Sequence, residues 1–192
     1  PRPKRAGGML DGEVRALPSR YISADTCAKF GYVIATDASG TAVQVAPYFD
    51  DKRTMVAQKV RKPGKEFYVT GSLKEAGLFG QHLWKDKGKM VVVTEGEIDA
   101  MTVAQLMRTW PAVSIPNGAA GAKKALQKNL EWLLGFDTIV LFFDSDEAGQ
   151  KAIEECAPLF PPGRVKVASV PNYKDANEAH QKGQSEAVVR AV

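Results

Sequence analysis

Hydrophobic residues follow two different periods along this chain. Between residues 41 and 71 they alternate with polar ones. TAVQVAPYF and TMVAQKV are separated by FDDKR, and EFYVTG resumes the pattern after a Pro-Gly turn. Alternation of this kind, rich in β-branched and aromatic residues, predicts a hairpin and a third antiparallel strand. Upstream, Ser23 precedes ADTCAKF and Gly31 follows it, the signature of a short capped helix. Downstream, GSLKEAGLFGQHLW predicts loop and a short helix.

From Lys89 onward continuous apolar runs replace the alternation. KMVVVT, AVSI, DTIVLFF and RVKVASV are runs of the kind buried on both faces of a sheet. Between them, EIDAMTVAQLMRTW, GAKKALQKNLEWLL and EAGQKAIEECAPLF place apolar residues at helical spacing. Strand alternating with helix predicts an α/β fold, a parallel sheet flanked by helices, preceded here by a smaller antiparallel-sheet subdomain. The expected organisation is a basic arm or linker over residues 1–14, an N-terminal α+β subdomain over 15–87 and an α/β domain over 88–192.

Composition narrows the function only a little. With 44% hydrophobic and 25% charged residues, the 192-residue chain has the make-up of a soluble globular protein. A net charge of +4 is compatible with nucleic acid without being diagnostic of it. Cys27, Cys156, His82 and His180 are scattered, with no metal-ligand spacing, so a zinc site is not expected and reduced cysteines suit an intracellular protein. No apolar stretch is long enough to span a membrane, and no signal peptide is present. The chain starts at Pro1 and stops at Val192 within a helical pattern, as expected for part of a longer protein.

The acids carry the chemistry. VVVTEGEIDA runs into Glu95, and IVLFFDSDEAG runs into Asp144 and Asp146. In a parallel sheet the ends of such strands lie along one edge, where ligands bind. Two Asp residues flanking Ser145 can share a hard cation such as Mg²⁺, and a nearby Glu can move a proton. One Asp could instead merely cap the next helix, but that leaves its neighbour and Glu95 unexplained. Asp175, in YKDANE, is either a further metal-site acid or a turn residue. Glu97 and Asp99 fall in the first turn of a helix; charge–dipole placement accounts for Asp99, while Glu97 stays open as a supporting group. Lys59 and Arg61 are two apart on a strand and share a face, and Lys65 follows the Pro-Gly turn. PNGAAGAKKAL leads into a helix bearing Lys123 and Lys124, which is either a phosphate or template contact or a plain strand-to-helix turn.

A strand ending in Glu-Gly, followed about 50 residues later by one ending in Asp-x-Asp, resembles the TOPRIM domain. TEGEIDAM, FFDSDEAG, YKDANEAH and VAQKVRKPGKEFYVTG are similar, more closely, to the primase domains of bacteriophage bifunctional primase–helicases, whose relatives include the mitochondrial replicative helicase. The resemblance implies a DNA primase catalytic domain, a nucleotidyltransferase that makes short RNA primers from NTPs on single-stranded DNA. It implies Mg²⁺ or Mn²⁺ on Asp144, Asp146 and Asp175, with Glu95 as general base or a further ligand. It implies that Lys59 and Lys65, with Arg61 beside them, bind the incoming nucleotide. The implied companions are a zinc-binding template-recognition module and a replicative helicase, in the cytoplasm of a phage-infected bacterium. A TOPRIM nuclease and a non-catalytic DNA-binding linker module are the alternatives.

Overall fold

The computed structural model describes residues 8–192, and the chain divides into two compact units, Pro1–Leu83 and Trp84–Val192. Half of the expected arm, residues 1–7, lies outside the described residues, and Gly12 and Glu13 in its other half belong to a strand.

The first unit is built on one antiparallel sheet in the order β1-β2-β3-β4-β5. Its strands are β1 (Gly12–Glu13), β2 (Val33–Thr36), β3 (Ala42–Phe49), β4 (Met55–Arg61) and β5 (Phe67–Gly71). The expected three strands are there, and β1 and β2 extend the sheet beyond them. Alternation sorts the faces. Ala35, Val43, Val45 and Val60 point into a buried cluster, with Leu10, Val33 and Tyr68 packed against it. Helix α1 (Ala24–Phe30) is capped as its sequence requires: the Ser23 hydroxyl accepts the Thr26 N–H at 3.1 Å, and Gly31 ends it at φ 68°. Phe30 stacks on Phe79 at 5.3 Å, and Tyr48 meets the same ring at 5.8 Å.

The second unit is a parallel sheet in the order β7-β6-β8-β9, flanked by helices. Along the chain come β6 (Gly88–Thr94), α2 (Glu97–Met107), β7 (Ala112–Ser114), α3 (Gly118–Lys128), α4 (Leu130–Leu134), β8 (Phe136–Phe142), α5 (Glu147–Cys156), β9 (Val165–Val167), α6 (Ala176–Gln181) and α7 (Ser185–Ala191). Strand β6 lies between two parallel neighbours, and Val91, Val92 and Val93 are fully buried, which is why its sequence is apolar without alternation. The helix expected over GAKKALQKNLEWLL breaks at Asn129, whose side-chain amide donates to the Ala125 carbonyl at 2.9 Å and competes with the backbone ladder. Helix α5 stops at Cys156 and passes into a 3-10 turn at Ala157–Leu159, because Pro158 cannot continue the α pattern. Among the described residues, no helix is long and apolar enough to cross a membrane.

Candidate active site

The carboxyl ends of β6 and β8 lie side by side, with Thr94 paired to Phe142. Glu95 and Asp144 therefore leave the sheet at one edge, as the alternation of strand and helix predicts. Glu95 is fixed by the next crossover. Its Oε1 accepts the Ala119 N–H at 3.1 Å in the first turn of α3, while its Oε2 is buried with no hydrogen-bond partner among the described residues. The Gly-rich turn makes this approach possible: Gly118 has φ 62°, and a Cβ there would stand 3.4 Å from Oε1. Thus this N–H of α3 is taken by a carboxylate of the site.

Asp144, Asp99 and Asp175 converge. Each offers a carboxylate oxygen, and those oxygens all lie within 4.8 Å of one another. They come from three elements: the end of β8, the first turn of α2 and the N-cap of α6. Asp99 is the member that its sequence position conceals. Dipole placement alone would leave it facing water, but it is buried and accepts the Asn177 N–H at 2.9 Å. Asn177 also donates from its side chain to the Thr102 hydroxyl at 2.9 Å, so α6 is pinned onto α2. Asp175 has two sets of neighbours. It caps α6 by accepting the Glu178 N–H at 2.7 Å, and it belongs to the carboxylate cluster.

Asp146 is placed differently from Asp144. Its Oδ1 caps α5, accepting the Gly149 N–H at 3.0 Å, and it lies outside the close trio. The two residues share a cation all the same. The Lys174 ammonium stands 3.1 Å from Asp144 and 3.0 Å from Asp146. The Lys174 segment is fastened to the Asp loop, since the Ser145 N–H donates to the Lys174 carbonyl at 2.7 Å and the Ser145 hydroxyl to that of Tyr173 at 3.0 Å. Lys174 went unread in the sequence; its position one residue before Asp175 was the available signal.

Electrostatics at this edge are strained in the way clustered acids require. Burial, then the Glu95 charge, pushes Asp144 up to about 6. Burial, then the Asp175 charge, raises Asp99 well above the ordinary carboxylate range. Asp146 is lowered, chiefly by its Gly149 hydrogen bond and then by Lys174. Lys174 is raised by Asp146 and Asp144. This donor set fits a divalent cation: hard oxygen ligands, close together, with negative charge only partly offset by one ammonium.

Glu97 is buried at the start of α2, outside the trio. Lys123 and Lys124 are exposed on α3. In the first unit, Lys59 and Arg61 do share a face, for their cationic groups lie 5.3 Å and 5.4 Å from the Phe67 ring. Lys62 points the other way, to Asp37 at 3.6 Å and the Tyr68 ring at 5.5 Å. The Lys65 backbone lies in a 3-10 turn at Pro63–Lys65, and its side chain falls outside those described. Arg61 and Lys62 also line a cavity of about 340 Å³ with Arg20, Ser19 and Gln44.

Comparison with known proteins gives concordant matches. Residues 12–71 match the family described as the bacteriophage T7 DNA helicase/primase N-terminal α+β fold, and residues 92–180 match the Toprim-like family. The chain is 46% identical over 186 residues to the DNA helicase/primase of Enterobacteria phage T3, covering 96% of this chain and 32% of that protein. It thus spans about a third of the length of that curated relative. The crystal structure of the primase fragment of the bacteriophage T7 primase-helicase superposes with a TM-score of 0.89 at 45% identity, covering 100% of this chain and 82% of that one. The E. coli primase catalytic core shares the fold, with a TM-score of 0.66 at 16% identity over 91% of this chain and 70% of that one.

Proposed function

This chain belongs to the TOPRIM primase family of bacteriophage primase–helicases, and from that membership we propose that it synthesises short RNA primers from NTPs on a single-stranded DNA template. The observation that carries the reading is the convergence of Asp99, Asp144 and Asp175 within 4.8 Å, at the sheet edge where Glu95 also ends its strand.

Primer synthesis forms a bond from a 3′-hydroxyl oxygen to the α-phosphorus of the next nucleotide and breaks the bond to pyrophosphate, which departs with the electron pair. Glu95 takes the proton of the attacking hydroxyl. Its geometry suits proton transfer, since Oε1 is held by Ala119 while Oε2 has no hydrogen-bond partner among the described residues. Asp99, Asp144 and Asp175 hold a divalent ion, Mg²⁺ or Mn²⁺, and Asp146 serves beside Asp144, with which it already shares the Lys174 ammonium. When bound, such an ion neutralises phosphate charge and orients the reacting oxygens. Lys59, Arg61 and Lys65 bind nucleotide phosphates, Arg61 through its planar fork. Glu97, Lys123 and Lys124 support the acids or the template.

The naming of the phage T3 relative as a helicase/primase supports a place beside a replicative helicase in a phage-infected bacterium; a zinc-binding template reader is what the family resemblance implies. The test is incubation of the chain with Mg²⁺, labelled NTPs and single-stranded DNA. Short RNA products are expected. Shortened DNA would establish a nuclease instead, and neither product would leave a binding module.

A further inference from the structure

The outer face of the β4–β5 pair carries an arrangement that phosphate binding alone does not use. Arg61 is paired across the strands with Phe67, and Lys59 with Val69. All four side chains share one face, because Val60 and Tyr68 between them turn to the buried side. Phe67 is 50% exposed and Val69 44% exposed. At that exposure the Phe67 ring contributes little to the core. Yet two cations are gathered over this one ring, at 5.3 Å and 5.4 Å.

Those are the two halves of a nucleotide site. Nucleotides present a flat π-face tied to phosphate oxygens. Sites for them combine cations for the phosphates with an aromatic ring for the base, and stacking tolerates any base because every base has such a face. Among the described residues, Phe67 is the ring that carries both Lys59 and Arg61. We infer that Phe67 is a base-stacking platform: Lys59 and Arg61 turn from the ring to phosphate oxygens, and the ring face takes the base. This rests on the reading of Lys59 and Arg61 as phosphate-binding and names the partner of the base. The occupant is either a free NTP or a nucleotide unit of single-stranded DNA, which share this chemistry.

The experiment measures binding by the whole chain in EDTA, so that catalysis plays no part. Four probes are used: ATP, tripolyphosphate, a ten-unit deoxythymidine oligomer and the same oligomer without bases. Phe67→Ala should weaken binding of ATP, of the thymidine oligomer or of both by roughly 5- to 140-fold, the equivalent of one lost stack. Tripolyphosphate and the abasic oligomer should bind it as they bind the parent chain. Loss confined to ATP identifies a free-nucleotide site; loss confined to the oligomer identifies a strand site. Phe67→Trp should bind at least as tightly as the parent, and Phe67→Leu should behave like the alanine variant. Equal losses on probes with and without bases would overturn the inference, as would full binding by Phe67→Leu or an unaffected Phe67→Ala. Lys59→Ala separates the underlying reading from this one. It should weaken tripolyphosphate binding, and if it does not, phosphate binding by the strand fails whatever Phe67 does.

Discussion

Replacing Asp144 with Asn should abolish primer synthesis and at the same time make the metal-free chain more stable. Asp144 sits with Asp99 and Asp175 inside 4.8 Å, and its side chain is only 17% exposed. Burial and the Glu95 charge raise it from 3.8 to about 6, even though Lys174 pulls the other way. At 1.36 kcal/mol per unit, holding this carboxylate ionised costs the folded state on the order of 3 kcal/mol above pH 6. The sign follows from proton uptake. Between pH 3.8 and about 6 the folded chain binds more protons here than the unfolded chain does, so stability falls as pH rises through that window. Asn keeps the shape and drops the charge. In EDTA at pH 8 the variant should therefore melt several degrees above the parent, since about 1 kcal/mol moves the midpoint of a domain this size by roughly 2–4 °C. At pH 4 the gap should close. Mg²⁺ should then reverse the order, because an ion bound only by the folded parent adds RT ln(1 + [L]/Kd). Thermal unfolding followed by circular dichroism, in EDTA and in millimolar Mg²⁺, reads all three conditions. A variant less stable than the parent in EDTA at pH 8 would refute the reasoning, for it would mean that the clustered carboxylates are not in electrostatic conflict.

Three further outcomes are expected. Glu95→Gln retains an oxygen for the Ala119 N–H but cannot accept a proton, so single-turnover primer extension should slow by at least roughly 100-fold while the NTP concentration for half-saturation stays nearly unchanged. Lys59→Ala should raise that half-saturating concentration several-fold, whereas Lys62→Ala should leave it alone, because Lys62 is engaged on the opposite face with Asp37 at 3.6 Å; equal effects would reduce the strand to a diffuse basic surface. His82, packed 3.9 Å from the Phe49 ring, is lowered to about 4 by burial and then by the Arg53 charge, so the first unit should lose stability as pH falls from 6.5 toward 4, and His82→Phe should remove that loss in a urea titration at each pH.

Which parts of this molecule were legible depended on whether the deciding interaction is local. Strands β6 and β8 announce themselves because burial on both faces leaves no room for polar residues. Strand β1 could not be read. Its two residues, Gly12 and Glu13, form a strand only by pairing with Ala35 and Ile34 more than 20 residues away. A Cβ at Gly12 would lie 2.5 Å from the Ile34 carbonyl oxygen, so it is this pairing that explains the glycine.

The same distinction divides the candidate site. Glu95 and Asp144 were legible because the topology of a parallel sheet sends both strand ends to one edge. Asp99 was not, because an acid in the first turn of a helix already has a sufficient local reason to be there. The local reason and the site reason make opposite demands on water. An acid serving only the helix dipole is satisfied by free N–H groups and solvent. Asp99 is instead desolvated, and the N–H it accepts belongs to Asn177, 78 positions along the chain. Burying a carboxylate between two others is costly unless a cation or a proton joins it. Helix α6 thus does more than cover α2: by pinning Asn177 to Asp99 and Thr102 while its N-cap Asp175 enters the cluster, it creates a charge density that a divalent ion would relieve. The segment YKDANE therefore supplies an acid of the cluster, the Lys174 ammonium and the clamp on Asp99 from neighbouring residues, one contribution from each of Asp175, Lys174 and Asn177.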